Sequence, residues 1–171
     1  MDYDEALSWI NQFHQFGMKL GLDRIKDVLE LLNNPHEHLQ CIHVAGTNGK
    51  GSVCRFISSI LATEGYNVGL YLSPHLIDFR ERFQLNNTLI SEHTLIDIVK
   101  QIRSTIEEYV HENNQLTYFE ICTIIAFQFF KKSHVDYAVI EVGLGGRCDA
   151  TNVIDPLVSV ITNVSLDHQK H

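Results

Sequence analysis

Gly46-Thr47-Asn48-Gly49-Lys50-Gly51-Ser52 follows the apolar run Cys41-Ile42-His43-Val44-Ala45 and opens a stretch of helical periodicity. A strand that turns into a helix through glycines bares backbone N–H groups at the helix N-terminus, where the helix dipole favours an anion. Lys50 adds a mobile positive charge at the same place. The spacing predicts a phosphate-binding loop made by Gly46, Thr47, Asn48, Gly49, Lys50, Gly51 and Ser52. It departs from the standard pattern twice. Val44 stands where that pattern has its first glycine, and Gly51 stands where it has the hydroxyl that holds Mg²⁺. Ser52, or a residue elsewhere, must then supply that oxygen. A glycine-rich turn with an incidental lysine is the competing reading, and it does not account for glycines on both sides of the lysine.

Outward from this loop the pattern alternates. Strand one covers about 40–45, and the helix after the loop is expected to bury Val53, Phe56, Ile57, Ile60 and Leu61, with Gly65 closing it. Strand two spans 67–72, an apolar run suited to a parallel sheet covered on both faces. About fifteen residues then read as a loop, with Asp78, Arg80, Glu81 and Arg82 in it; loops of that length are often functional. A helix starting near Ser91 carries Leu95, Ile98, Val99, Ile102 and Ile106, and Asn113-Asn114 closes the segment. Thr117-Tyr118-Phe119-Glu120 forms a T-x-x-E capping box for a helix to about Lys131 that is apolar nearly all round, hence buried. Strands at 137–142 and 157–162 follow. Upstream, Ala6, Trp9, Ile10 and Phe13 mark one amphipathic helix and Ile25, Val28, Leu29 and Leu32 another, separated by Gly17 and Gly21. The reading is an α/β, three-layer, P-loop-type and mostly parallel sheet, with two extra N-terminal helices (1–38) that pack on its edge or cover the site.

Composition narrows the function. Of 171 residues, 44% are apolar, enough for one soluble domain with a core. A net charge of −8, with only thirteen dispersed Lys and Arg, argues against a nucleic-acid surface. No apolar run is long enough to span a membrane and the N-terminus is acidic, so a cytoplasmic protein is expected. Cys41, Cys54, Cys122 and Cys148 are widely spaced and read as reduced thiols.

Strand ends carry the remaining candidates, because open α/β sheets bind ligands there. Glu141 stands at the end of the third strand, before Gly143-Leu144-Gly145-Gly146. A carboxylate buried there needs a cation, and two readings are open: a nucleotide's Mg²⁺, or a salt bridge to Arg147. His168, after the fourth strand, reads either as a ligand or acid/base or as an ordinary polar loop residue.

The ordered set Gly46-to-Ser52, Leu72-Ser73-Pro74-His75-Leu76, Thr117-to-Glu120, Glu141-to-Asn152 and Ser165-Leu166-Asp167-His168 resembles the folylpolyglutamate synthases and dihydrofolate synthases of the Mur ligase superfamily. The resemblance covers essentially the whole chain. Cys148 departs from it, where the family often has an aliphatic residue. It implies an ATP-dependent ligase that adds L-glutamate to dihydropteroate or a reduced folate through an acyl phosphate, in folate biosynthesis and one-carbon metabolism. By the same resemblance, residues 39–171 are an incomplete ATP-binding domain and the chain is an inactive N-terminal fragment. Lys50 and residues 46–52 hold ATP, and Lys50, Glu141 and His168 are the catalytic set. Ser73, Glu141 and His168 are implied as ligands of two Mg²⁺ ions, and Thr117, Phe119, Arg147, Asp149 and Ala150 as substrate contacts. Capping alone explains Thr117, and core packing alone explains Phe119. A small P-loop kinase or ATPase, and a non-catalytic nucleotide-binding module, are the alternatives.

Overall fold

The short apolar runs that read as strands pair in one sheet, and their order decides which loops meet. The computed structural model describes residues 1–17, 19–111 and 115–165. Within them the chain runs α1 (Tyr3–Asn11), α2 (Asp23–Leu31), β1 (Cys41–Ala45), α3 (Lys50–Thr63), β2 (Val68–Tyr71), β3 (Phe83–Leu85), β4 (Thr88–Leu89), α4 (Glu92–His111), α5 (Tyr118–Lys132), β5 (Tyr137–Glu141) and β6 (Val158–Ile161). The sheet order is β4-β3-β2-β5-β1-β6. β1, β2, β5 and β6 are parallel, and β3 and β4 are antiparallel. β5 inserts between β1 and β2 with Val44 beside Glu141 and Ile140 beside Tyr71. The C-terminal ends of the three strands are therefore level. The phosphate loop, Ser73 and Glu141 leave the sheet side by side, at the kind of crossing where α/β sheets bind ligands.

One face of the sheet is covered by α3, whose Cys54 joins Val44, Val68, Leu70 and Val139 in one buried cluster. The other is covered by α5, whose residues from Glu120 to Phe130 are all buried. Full burial of Phe127 and Phe130 contributes roughly 2–3 kcal/mol each. The Thr117–Glu120 capping box is formed in both directions. α4, α1 and α2 pack behind α5, so the N-terminal helices back the helical layer rather than the sheet edge. The chain between α1 and α2 reaches the site described below.

Two expectations need correction. Phe56 and Ile60 do not face the core: they are 67% and 63% exposed, while Cys54 and Ser58 are buried. The phosphate loop fixes the rotation of α3, because Gly51 faces Glu141 and the stripe in register with it is 54, 58 and 61. The fifteen-residue loop is also partly regular. It contains a 3₁₀ turn at Phe79–Arg82 and the β3–β4 hairpin. Asn86 and Asn87, with φ of 49° and 64°, make the two-residue turn that suits a twisted hairpin.

Candidate active site

The phosphate loop closes on the chain after β6. Gly46 has φ +136°, and a Cβ there would strike the Thr162 side chain and come within 3.1 Å of Asn163 N, so only glycine fits. Thr47 N donates to Asn163 O at 3.0 Å, Asn48 N to Asn163 Oδ1 at 2.9 Å, and Thr162 Oγ1 to Asn48 O at 2.7 Å. Two amides expected to face an anion are thus satisfied internally. The first turn of α3 keeps its amides outside the helical ladder, which begins with Val53 N donating to Gly49 O. Lys50 Nζ donates to Gly46 O at 2.9 Å and Thr47 O at 3.3 Å, folded over the loop it serves. A cavity of about 470 Å³ opens here, lined by Gly46, Thr47, Lys50, Gly143, Gly145 and Asn163 among others. Asn163 had no local signal in the sequence; its contact lies 115 residues from Asn48.

Glu141 is 6% exposed. Burial raises its carboxyl above the usual range, and the Ser73 amide, the Lys50 ammonium, the Gly51 amide and Arg82 oppose that rise. Ser73 N donates to Glu141 Oε2 at 2.8 Å. Arg147 is exposed, and among the described residues it makes no ion pair, so the salt-bridge reading of Glu141 falls.

A second cavity, of about 380 Å³, lies beyond Ser73 and brings together Thr117, Phe119, Asp149 and Ala150. Arg147, expected with them, does not line it. Asp149 also organises the wall. Its Oδ2 accepts from Leu144 N at 2.8 Å, and its Oδ1 accepts from Thr151 N at 3.0 Å and from Thr151 Oγ1. Because the Thr151 hydroxyl donates to Asp149, buried His43 must donate to it from Nε2, at 2.8 Å. Phe119 stacks on Tyr71, with centroids 6.0 Å apart. Its ring thus serves both the core and the cavity wall. Unforeseen in the wall are Arg82, Tyr118, His14 and Lys19. Only Arg82 carried a signal, as a cation in a long loop.

Among the described residues no three His, Cys, Asp or Glu side chains gather as a metal cage. Mg²⁺ does not require one, since it is commonly held by one or two carboxylates, waters and substrate phosphates. The Glu141 carboxylate, fixed next to Ser73 at the mouth of the phosphate loop, is an oxygen donor set of that kind. His168 lies outside the described residues.

The chain matches the family described as the Mur ligase middle domain over residues 44–170. It is 44% identical to a dihydrofolate synthase/folylpolyglutamate synthase of Bacillus subtilis, covering 97% of this chain and 39% of that protein. The crystal structure of a folylpolyglutamate synthase from Thermotoga maritima superposes with a TM-score of 0.91 at 45% identity, covering 96% of this chain and 38% of that one. A complex of an FPGS with AMPPCP and folate superposes with a TM-score of 0.91 at 40% identity, over 99% of this chain and 42% of that one. The chain thus spans about two fifths of the length of the relatives it matches. No described helix is long and apolar enough to cross a membrane.

Proposed function

The chain belongs to the Mur ligase family, whose middle domain it matches, and from that premise we propose that it carries the acid-activating half of a folylpolyglutamate or dihydrofolate synthase. The reaction is ATP-dependent addition of L-glutamate to dihydropteroate or a reduced folate, in the cytoplasm. One observation carries the reading: Gly143 and Leu144 line both the phosphate-loop cavity and the second cavity, so a nucleotide and an organic acid can meet across them. A simple ATPase would need no such second chamber, and a small kinase would transfer phosphate without dependence on glutamate.

A carboxylate is a poor electrophile, and phosphorylation supplies the leaving group that amide formation needs. A carboxylate oxygen of the substrate attacks the γ-phosphorus of ATP, the bond to the β–γ bridging oxygen breaks, and ADP departs. The glutamate amine then attacks the acyl carbon, the bond to the phosphate oxygen breaks, and phosphate and a proton are released. Lys50 and the first-turn amides of α3 bind and orient the phosphates. Glu141 and Ser73 would hold Mg²⁺, with His168 a further ligand of the two ions the resemblance implies; bound there, the metal would neutralise phosphate charge. Thr117, Phe119 and Ala150 shape the acid's chamber, and Asp149 fixes its wall.

Calorimetric titration with ATP, with and without Mg²⁺, tests the nucleotide half. Mg²⁺-dependent binding that is lost in Lys50→Ala and in Glu141→Ala supports the reading. Binding unchanged by both substitutions overturns it.

A further inference from the structure

Arg82 closes the 3₁₀ turn Phe79–Arg82 and is only 6% exposed, yet it lines the second cavity. Its Nε donates to His75 Nδ1 at 2.8 Å, and its guanidinium lies 5.4 Å from the Tyr118 ring centroid. Both contacts orient the group without neutralising it. Among the described residues no carboxylate forms an ion pair with it. The neighbouring arginine behaves differently: Arg80 is paired with Asp78 at 2.6 Å and Glu92 at 3.6 Å. A cation taken out of water with only the more distant Glu141 opposing its charge is costly, and an anion bound in contact lowers that cost. Position narrows the anion further. Arg82 O accepts from Leu72 N at 3.0 Å, which ties the arginine to the backbone just before Ser73. Ser73 lines the same cavity and donates to Glu141.

We propose that Arg82 receives the carboxylate of the organic acid in the second cavity, holding it at the end nearest Ser73 and Glu141. This rests on the ligase reading and adds to it the residue that positions the reacting group. A planar fork held on one side by His75 and touching the Tyr118 hydroxyl still has terminal N–H groups to offer two carboxylate oxygens. Aromatic contacts from Phe119 and Tyr118 would bind a neutral ring system equally well. Arg82 therefore makes the cavity select acids.

The test is titration of dihydropteroate and of its carboxamide analogue into the unmodified protein, Arg82→Met and His75→Phe, with folding followed by circular dichroism. The unmodified protein should prefer the acid about tenfold or more. Arg82→Met should weaken acid binding on the order of 30-fold while leaving the carboxamide within about twofold. His75→Phe keeps the charge but frees the fork, and should lower the preference severalfold; it carries the test if Arg82→Met does not fold. Equal binding of acid and carboxamide by the unmodified protein, or equal weakening of both by the substitutions, would overturn the role of Arg82 while leaving the ligase reading in place. No binding of either compound to the unmodified protein would overturn both.

Discussion

Replacing Gly143 by alanine probes the wall between the two cavities with a single methyl group. Gly143 has no left-handed backbone requirement, so the effect comes from space alone. A Cβ built there lies 2.5 Å from Phe119 Cζ, 2.8 Å from Phe119 Cε1 and 3.0 Å from Asp149 Oδ2. Carbon atoms settle near 3.5–4.0 Å, so the ring must move by about 1 Å. Tyr71, fully buried and stacked on that ring, blocks retreat into the core. The ring moves toward the cavity. Overpacking of this kind costs about 1–3 kcal/mol, and at this chain length each kcal/mol lowers Tm by about 2–4 °C. Thermal unfolding should therefore fall by about 2–12 °C, and dihydropteroate should bind more weakly. Phe119→Ala removes the obstacle, so adding Gly143→Ala to it should cost almost nothing, a coupling of about 1–3 kcal/mol. Equal losses from Gly143→Ala with and without Phe119, or no loss at all, would rule out a clash relayed through the Phe119 ring.

Gly46→Ala should cost about 1–3 kcal/mol of stability and abolish ATP binding, because the new methyl group strains the backbone and pushes on the Asn163 clamp; wild-type ATP affinity in this variant would contradict the clamp. Arg24 Nη2 lies 3.1 Å from Glu120 Oε1, close enough for ion pairing but too poorly angled for a hydrogen bond. Glu120 is 3% and Arg24 23% exposed, so Arg24→Met leaves a buried carboxylate held, among the described residues, by the Thr117 amide and should lose about 1–3 kcal/mol in denaturant unfolding. Glu120→Gln, which keeps that amide contact, should lose less, and the reverse order would count against the pairing. Burial lowers the His43 pKa below its ordinary 6.5, with Asp149 opposing. The unfolded chain then binds the extra proton, and stability is lost as pH falls through about 6.5. His36, also lowered by burial, acts in the same direction. His43→Gln should flatten the fall in Tm between pH 8 and pH 5.5 without removing it, and an unchanged slope would reject the neutral His43.

Local signals explain what the sequence disclosed. The glycines around Lys50, the capping box at Thr117 and the alternation of strands and helices each act over a few residues, and each stands where its spacing predicted. Phe56 and Ile60 misled because periodicity reports that a helix has an apolar stripe, not how the helix is rotated. Here the contact between Gly51 and Glu141 sets the rotation. The Asn86-Asn87 turn was legible as a hairpin signal between Phe83-Gln84-Leu85 and Thr88-Leu89-Ile90, and the length of the surrounding loop hid it. The partners of the site were not legible. Asn163 on Asn48, and Thr151 on His43, are contacts between residues more than a hundred positions apart, made only once the sheet order is known. The same holds for Arg82, whose neighbour Arg80 looks equivalent in sequence and is neutralised in the fold.

An organic carboxylate activated as an acyl phosphate across the Gly143–Leu144 wall would hand one of its own oxygens to the departing phosphate. Isotope transfer reads this directly: the protein carrying these residues is supplied with ATP, Mg²⁺, L-glutamate and dihydropteroate labelled with ¹⁸O in its carboxylate. One ¹⁸O atom is expected in each phosphate released, with release dependent on glutamate. Phosphate that takes its new oxygen from water, at a rate indifferent to glutamate, would contradict it.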